Sequence, residues 1–408
     1  MRKSILLLTA AASGLAMSGT AYAKPGDPIA IGDGVTIDPI IEGVLRYEAV
    51  DQDDIDLDAD AVTVSVSAGA EIKASGFSVL AEAEGTLAIV DNYNAYPFPI
   101  DASQRRPEYS VIADPENVEL NRLQVGYFGK FGSVTVGRQR IVLGNSRFVG
   151  NVGWRQNEQT FDAARATVKI GPAYLDGTYA ISQRSIFGMD ADARRAMEGE
   201  HILLNAGVKV AGVDLTGFAY ILDYDDDEPA PARSSQTYGA IASGKIPLGD
   251  PIALTFTASY AKQSDLDGDT IDYSADYLNG ELGTVISGVK LLAGYEKLGS
   301  DDGLIGFSTP MATLHKFNGF ADLFLNTPAT GIEDYYGSLG YAFKGVTLGV
   351  TYHKFESDVG GLDYGSEWDA TAGFKLGGYP FLIKYANYDA EDFGTDTEKL
   401  WVQVSFAY

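Results

Sequence analysis

Most of this chain alternates apolar and polar residues with a period of two, and no segment of helical period competes with that pattern. In "ALTFTASYA", Leu254, Phe256, Ala258 and Tyr260 share one face, while Thr255, Thr257 and Ser259 share the other. "VTLGVTYHK" sets Val346, Leu348, Val350 and Tyr352 against Thr347, Thr351 and His353. In "KLWVQVSFAY", Leu400, Val402, Val404, Phe406 and Tyr408 lie opposite Gln403 and Ser405. Such alternation makes a strand with one apolar and one polar face.

The breaks between these segments come in two kinds. Tight turns such as "ASGF" (74–77), "GKFGS" (129–133), "IGPA" (170–173), "VAGVD" (210–214), "FKGV" (343–346) and "LGGYP" (376–380) alternate with long acidic or proline-rich links at 51–60, 94–116, 144–161, 187–200, 225–234, 264–271, 299–330, 358–363 and 392–396. That rhythm belongs to an up-and-down antiparallel meander whose two ends differ. Strands are expected at 35–50, 61–73, 77–93, 117–128, 133–143, 162–170, 173–186, 201–211, 213–224, 235–246, 252–263, 272–284, 288–298, 331–343, 346–357, 364–377, 379–391 and 397–408, about 18 in all. The count is even, with both ends on the short-turn side.

A set of amphipathic strands can cross hydrocarbon only by closing on itself, because every backbone N–H and C=O there needs a partner. The expected fold is therefore all-β: a transmembrane antiparallel up-and-down β-barrel, apolar face to lipid and polar face to a wet lumen. A barrel of this size leaves an aqueous channel. Tyr127, Tyr260, Tyr295, Tyr341 and Tyr385 suit interfacial girdles. Residues 1–23 read as a signal peptide: Arg2 and Lys3, an apolar run from Ile5 to Met17, then "AYA" before the cleavage point. Residues 24–408 would be the barrel. Without Cys, it would have no disulfide. These features place the protein in a bacterial outer membrane, among lipid and lipopolysaccharide, inserted by the barrel-assembly machinery. A soluble β-sandwich array or solenoid fails, because no repeat period is visible and the loops alternate long and short. A plugged transporter fails because strands start too soon after residue 23.

Charge is distributed unevenly. The chain carries 56 acidic against 30 basic residues, yet no Asp or Glu occurs from Leu120 to Asn157. Residues 105–195 hold 11 of the 14 arginines, with Lys130 and Lys169, against 9 acids: a net of +4 in a chain of net −26. Alternation sends Arg122, Arg165, Lys169 and Arg184 to the polar face. Arg138 and Arg140 share a face with Val134 and Val136. They are assigned to the lumen because an arginine facing lipid at the midplane costs roughly 2–4 kcal/mol. The link at 144–161, with Arg147, Trp154 and Arg155, is expected to fold inward and narrow the pore. Arginine forks suit carboxylates, so this wall reads as an anion path. The competing reading is that the arginines pair with acids across the lumen and stiffen the wall.

The acidic links "DQDDIDLDAD" (51–60), "DYDDDEPAPA" (223–232) and "SDLDGDTID" (264–272) read as solvated exterior loops; divalent-cation binding beside lipopolysaccharide phosphates is the sharper alternative. His201, His315 and His353 fall on separate segments without an adjoining nucleophile motif, so neither an enzyme nor a zinc site is expected. No cofactor and no nucleic-acid partner are expected. An adhesin or purely structural barrel remains as a third class.

"VGRQRIVLGNSRFVGNVGWRQNEQTFDAAR" (136–165) and "LHKFNGFADLFLNTPATGIEDYYGSLGY" (314–341) resemble two signatures of the alginate export family of outer-membrane barrels. The resemblance implies an 18-stranded barrel with an electropositive constriction that conducts a polyuronate. It implies that Arg138, Arg140, Arg155 and Arg165 line the passage and that Gln156, Asn157 and Glu158 hold the loop. His315, Lys316, Asn318 and Asp322 take the polar places of the second signature. Together these readings give a passive channel for anionic saccharides such as uronate oligomers, or for related organic anions. The alternatives are a general nutrient porin and a structural barrel.

Overall fold

A computed structural model describes residues 28–225, 233–249, 252–266 and 271–407. Among these, eighteen strands form one closed antiparallel sheet. They are β1 Val35–Gln52, β2 Ala59–Ala74, β3 Phe77–Asn92, β4 Asn117–Phe128, β5 Gly132–Gln139 and β6 Thr160–Ile170. Next come β7 Ala173–Arg184, β8 Ala196–Val210, β9 Val213–Tyr224, β10 Ser235–Gly249, β11 Ile252–Ser264 and β12 Ser274–Ile286. The last six are β13 Val289–Leu298, β14 Ile332–Phe343, β15 Val346–Glu356, β16 Asp363–Leu376, β17 Tyr379–Ala390 and β18 Thr397–Ala407. Each strand pairs with the next, and β1 closes the ring on β18 from Glu42↔Ala407 to Gln52↔Thr397. Because β1 outruns β18, a short strand Ile29–Gly32 folds back and pairs with its first residues.

The short turns are short for a backbone reason. Ser75–Gly76, Ala211–Gly212, Ser287–Gly288 and Lys344–Gly345 each put two successive residues at positive φ. That geometry matches the right-handed twist of the flanking strands, and glycine tolerates the second position.

The outward face carries the apolar band that lipid requires. Leu282, Leu339 and Leu348 lie on it about half exposed to the exterior. Tyr295 and Tyr335 pack at a 45° tilt near its long-loop edge, while Tyr341 and Phe343 stack near its short-turn edge. The inward face is polar over much of its height, with Glu48, Glu296, Asp334 and Glu367 on it near the long loops, but β8, β9 and β12 break that pattern. Towards the long loops, Leu203, Phe218, Tyr220, Leu222, Tyr224 and Tyr277 point inward and are buried. They are covered by two loops that turn into the barrel, 140–159 and 299–331, which bring Ile141, Leu143, Phe148, Val149, Phe307 and Met311 into one cluster with them. The 93–116 loop makes a second cluster from Tyr93, Tyr96, Phe98 and Ile112 with Val50, Ala59 and Ala61 of β1 and β2.

Two expectations change here. The strand expected at 133–143 ends at Gln139, because the chain turns inward from Arg140. The strand expected from 201 starts at Ala196. The signal peptide at 1–23 and Tyr408 lie outside the described residues, as do residues 226–232 and 267–270 of the two acidic links at 223–232 and 264–272.

Candidate functional site

The two inward loops form one body. Gly150 N donates to Met311 O at 2.8 Å, Thr313 N to Ser146 O at 3.0 Å, and Gln159 Nε2 to Met311 O at 2.9 Å. Arg147 clamps this contact: Nε reaches Glu296 Oε1 at 2.9 Å, Nη1 Thr309 at 3.2 Å and Nη2 Asn318 at 3.1 Å. At 2 % exposure, Arg147 is a structural clamp and cannot face a solute.

Arg155 does the same work on the other side. Nη1 meets Glu48 Oε1 of β1 at 3.2 Å and Asp114 of the 93–116 loop at 3.7 Å, while Nη2 meets Asp322 at 2.9 Å. One guanidinium thus ties the 140–159 loop to a strand and two other loops. Trp154 precedes it, with the Arg46 guanidinium 4.2 Å from the ring centroid and the Lys384 ammonium 4.0 Å. The indole stacks on His315, 4.6 Å between centroids and 6° between planes.

His315 itself is held from two sides. Its Nε2 lies 2.7 Å from Lys384 Nζ, and its Nδ1 lies 2.7 Å from Asp322 Oδ1. An ammonium can only donate, so the proton sits on Nδ1 and goes to Asp322. Burial pushes the His315 pKa well below its ordinary value, against the pull of Asp322. For Asp322, burial opposes ionisation, but the N–H of His315, Lys399 and Arg155 outweigh it and hold the carboxyl below the usual carboxylate range.

The sign of the pH effect follows. Folded His315 stays neutral while the released imidazole takes a proton below about pH 6.5, so its contribution to loop anchoring is complete above that value and falls as pH drops. The Asp322 contribution is complete above about pH 3.9 and is lost only at lower pH. Proteolysis of the 299–331 loop should therefore rise below about pH 6.5, and His315→Gln should lose that rise.

Side-on arginine–carboxylate pairs climb the wall below these loops. From the short-turn end, Arg165 of β6 holds Asp176 of β7, with Nε to Oδ1 at 3.0 Å and Nη2 to Oδ2 at 2.6 Å. Arg122 of β4 holds Glu82 of β3, with Nε to Oε1 at 2.8 Å. Arg140 holds Glu158 across the base of the inward loop, again through Nε and Nη2. In all three the carboxylate occupies the Nε–Nη2 edge, and Nη1 makes no hydrogen bond among the described residues. A guanidinium has five N–H donors in a fixed fork, so each pair keeps free donors on its far edge. These three arginines also keep part of their side chains exposed. Lys169 lies further along β6 on the same face as Arg165 and is exposed at the short-turn end.

Two expected lumen arginines lie elsewhere. Arg138 stays on the face of Val134 and Val136, which are 48 % and 53 % exposed on the outside. It sits one residue from the long-loop end of β5, where Asp162 binds it bidentately at 2.8 Å. The midplane penalty does not apply at that height, where it falls to about 0–1 kcal/mol. For Arg184, a bulge at Ile181 resets the alternation of β7, so Gln183 points at the inward loops instead. Arg184 reaches Glu119 of β4 at 3.0 Å, across the ends of the two shorter strands. The acids that pair these cations come from β1, β3, β4, β6, β7 and β13 and from the loops, outside the acid-free run. Arg46, Lys384 and Lys399 were missed, although Arg46 and Glu48 do alternate with Leu45 and Tyr47.

No family model matches the chain and no curated protein matches it. Solved structures do. Acinetobacter baumannii OccAB3 is 16 % identical, with 91 % of this chain and 100 % of that chain covered at a TM-score of 0.67. Pseudomonas aeruginosa OpdK, solved with vanillate, is 14 % identical, covering 91 % and 98 % at 0.69. Pseudomonas aeruginosa OccD3 (OpdP) is 13 % identical, covering 95 % and 94 % at 0.69. The chain shares the fold of these barrels. With its closed sheet and apolar outer band, it is an outer-membrane β-barrel. The alginate export resemblance stands on its two segments alone.

Proposed function

We propose that this barrel is a passive channel for small organic anions, recognised by their carboxylates, with sugar acids such as uronates in that class. One observation carries the reading: Arg122, Arg140 and Arg165 are pre-oriented by side-on carboxylates and keep their far edges free. Each pair is close to neutral, so it can hold a passing carboxylate briefly without trapping it, which conduction requires. Vanillate, with which one structural neighbour was solved, is itself a carboxylate, and this supports the class. A polyuronate chain, as the alginate resemblance implies, is the narrower form of the same proposal. No catalysis is invoked, and the three histidines stay on separate elements.

A second reading has its own support, since every one of these arginines already has a partner: the pairs would only stiffen the wall of a general porin. Reversal potentials in a planar bilayer under a potassium chloride gradient separate the two. The variant pairs Arg165→Gln with Asp176→Asn, and Arg122→Gln with Glu82→Gln, keep shape and remove donors. The wild type should prefer anions, and the paired variants should lose that preference by about threefold or more, as expected for removing charged donors from a confined path. Unchanged selectivity in both paired variants would leave the stiffening reading.

A further inference from the structure

Among the cations at the level of the inward loops, Lys384 is buried against Trp154 and His315, whereas Lys316 is partly exposed. It ends a short turn, Leu314–Lys316, in the 299–331 loop. Its neighbours are fixed to the barrel one by one. His315 is held by Asp322 and Lys384. The Phe317 ring lies under the Arg147 guanidinium at 4.8 Å. Asn318 Nδ2 donates to Glu296 at 2.9 Å and Asp334 at 3.3 Å. Gly319, at φ +85°, packs so tightly that a Cβ would come within 2.2 Å of Glu367. Phe320 N donates to Asp369 at 3.2 Å and Ala321 N to Glu367 at 2.8 Å. The anchoring carboxylates belong to β13, β14 and β16, so the segment is fastened to the barrel wall itself.

Lys316 takes no part in that fastening. Its Nζ donates to the carbonyl of Asn145 in the other inward loop at 2.7 Å. No carboxylate forms an ion pair with it among the described residues, whereas Arg122, Arg140, Arg147, Arg155 and Arg165 all have one. An ammonium has three N–H bonds, so two remain. Its side chain is only partly exposed, and burial pushes its pKa down, with Glu281 on the inward face of β12 pulling the other way.

We infer that Lys316 is the specificity-determining residue of the constriction, the unneutralised ammonium that meets the carboxylate of a passing solute. This rests on the channel reading above. The arginine pairs pass an anion along, whereas Lys316 sets the sign of charge at the level of the inward loops, since a rigid, unpaired and partly desolvated cation exerts a strong local field.

The test uses the full-length protein in planar bilayers under a potassium chloride gradient, with potassium galacturonate as the blocking probe. Lys316→Gln keeps a donor for Asn145 O and should lower the anion-over-cation permeability ratio by about threefold. Lys316→Glu should invert it, and Lys316→Arg should restore it. Galacturonate block should weaken in step, with conductance retained and folding checked by heat-modifiable gel mobility. An anion-selective wild type whose ratio is unchanged in Lys316→Gln and Lys316→Glu would overturn this inference and leave the arginine pairs in charge. A wild type that prefers cations or does not conduct would overturn the channel reading and this inference with it.

Discussion

Replacing Arg155 by alanine should release the 140–159 loop from the barrel wall at a cost of about 3–5 kcal/mol. The size comes from what is left behind. Glu48, Asp114 and Asp322 are nearly inaccessible, and Arg155 is a cation they share. Removing one partner of a buried ion cluster strands the other charges away from water, which costs far more than the pairing itself contributes. Arg46 can still serve Glu48 and Asp114, at 3.9 Å and 3.3 Å, but Asp322 keeps only His315 and Lys399. The loop rather than the sheet should give way, because the eighteen strands remain paired. Single-channel conductance and current noise should rise, and protease should cut within 140–159 in the variant only. The double variant Arg155→Ala with Asp322→Asn should recover part of the loss. Wild-type noise and protection in Arg155→Ala would show that apolar packing of Phe148 and Val149 holds the loop without this cluster.

Leu339→Arg should destabilise the inserted barrel by roughly 2–4 kcal/mol. Leu339 lies on the outward face of β14, between Tyr335 at one edge of the apolar band and Tyr341 with Phe343 at the other. That places it near the bilayer midplane, where an arginine has neither water nor an acid within reach. The same change at Tyr341, nearer the interface, should cost about 0–1 kcal/mol because the side chain can extend to the headgroups. Refolding into lipid vesicles from urea would measure both. Equal costs at the two positions would mean that the band is not centred as the aromatic pairs indicate.

Arg138 shows the same physics in the native chain. Its face was assigned from the midplane penalty, and that argument needs a height which residue alternation does not supply. Alternation states which side chains share a face; only the end of β5 at Gln139 reveals that Arg138 lies near the loop edge. Arg184 departs from expectation for a related reason. A bulge adds one residue to a strand and reverses the faces beyond it, and nothing in "YAISQR" marks Ile181 as the extra residue. Arg122 and Arg165 lie on regular stretches between such breaks. There alternation puts them on the polar face, and the structure has them on it beside Glu82 and Asp176.

The strands, their antiparallel order and closure are legible in the residues alone, because each rests on local chemistry. Period-two alternation selects the strand, an X-Gly turn selects the tight hairpin, and hydrocarbon forbids an open edge. The residues alone also mark the link at 144–161, through its arginines and Trp154, and the segment 314–341, through a family resemblance. Which charges cancel depends on how the folded chain brings distant residues together. Glu48, Asp114, Glu296 and Asp322 are distant in sequence from the arginines they hold, and their pairing exists only once the barrel forms and the long loops enter it. The apolar inward face of β9 belongs to the same class. Phe218, Tyr220 and Leu222 contradict a wet lumen until Phe148, Phe307 and Met311 arrive from other parts of the chain to cover them.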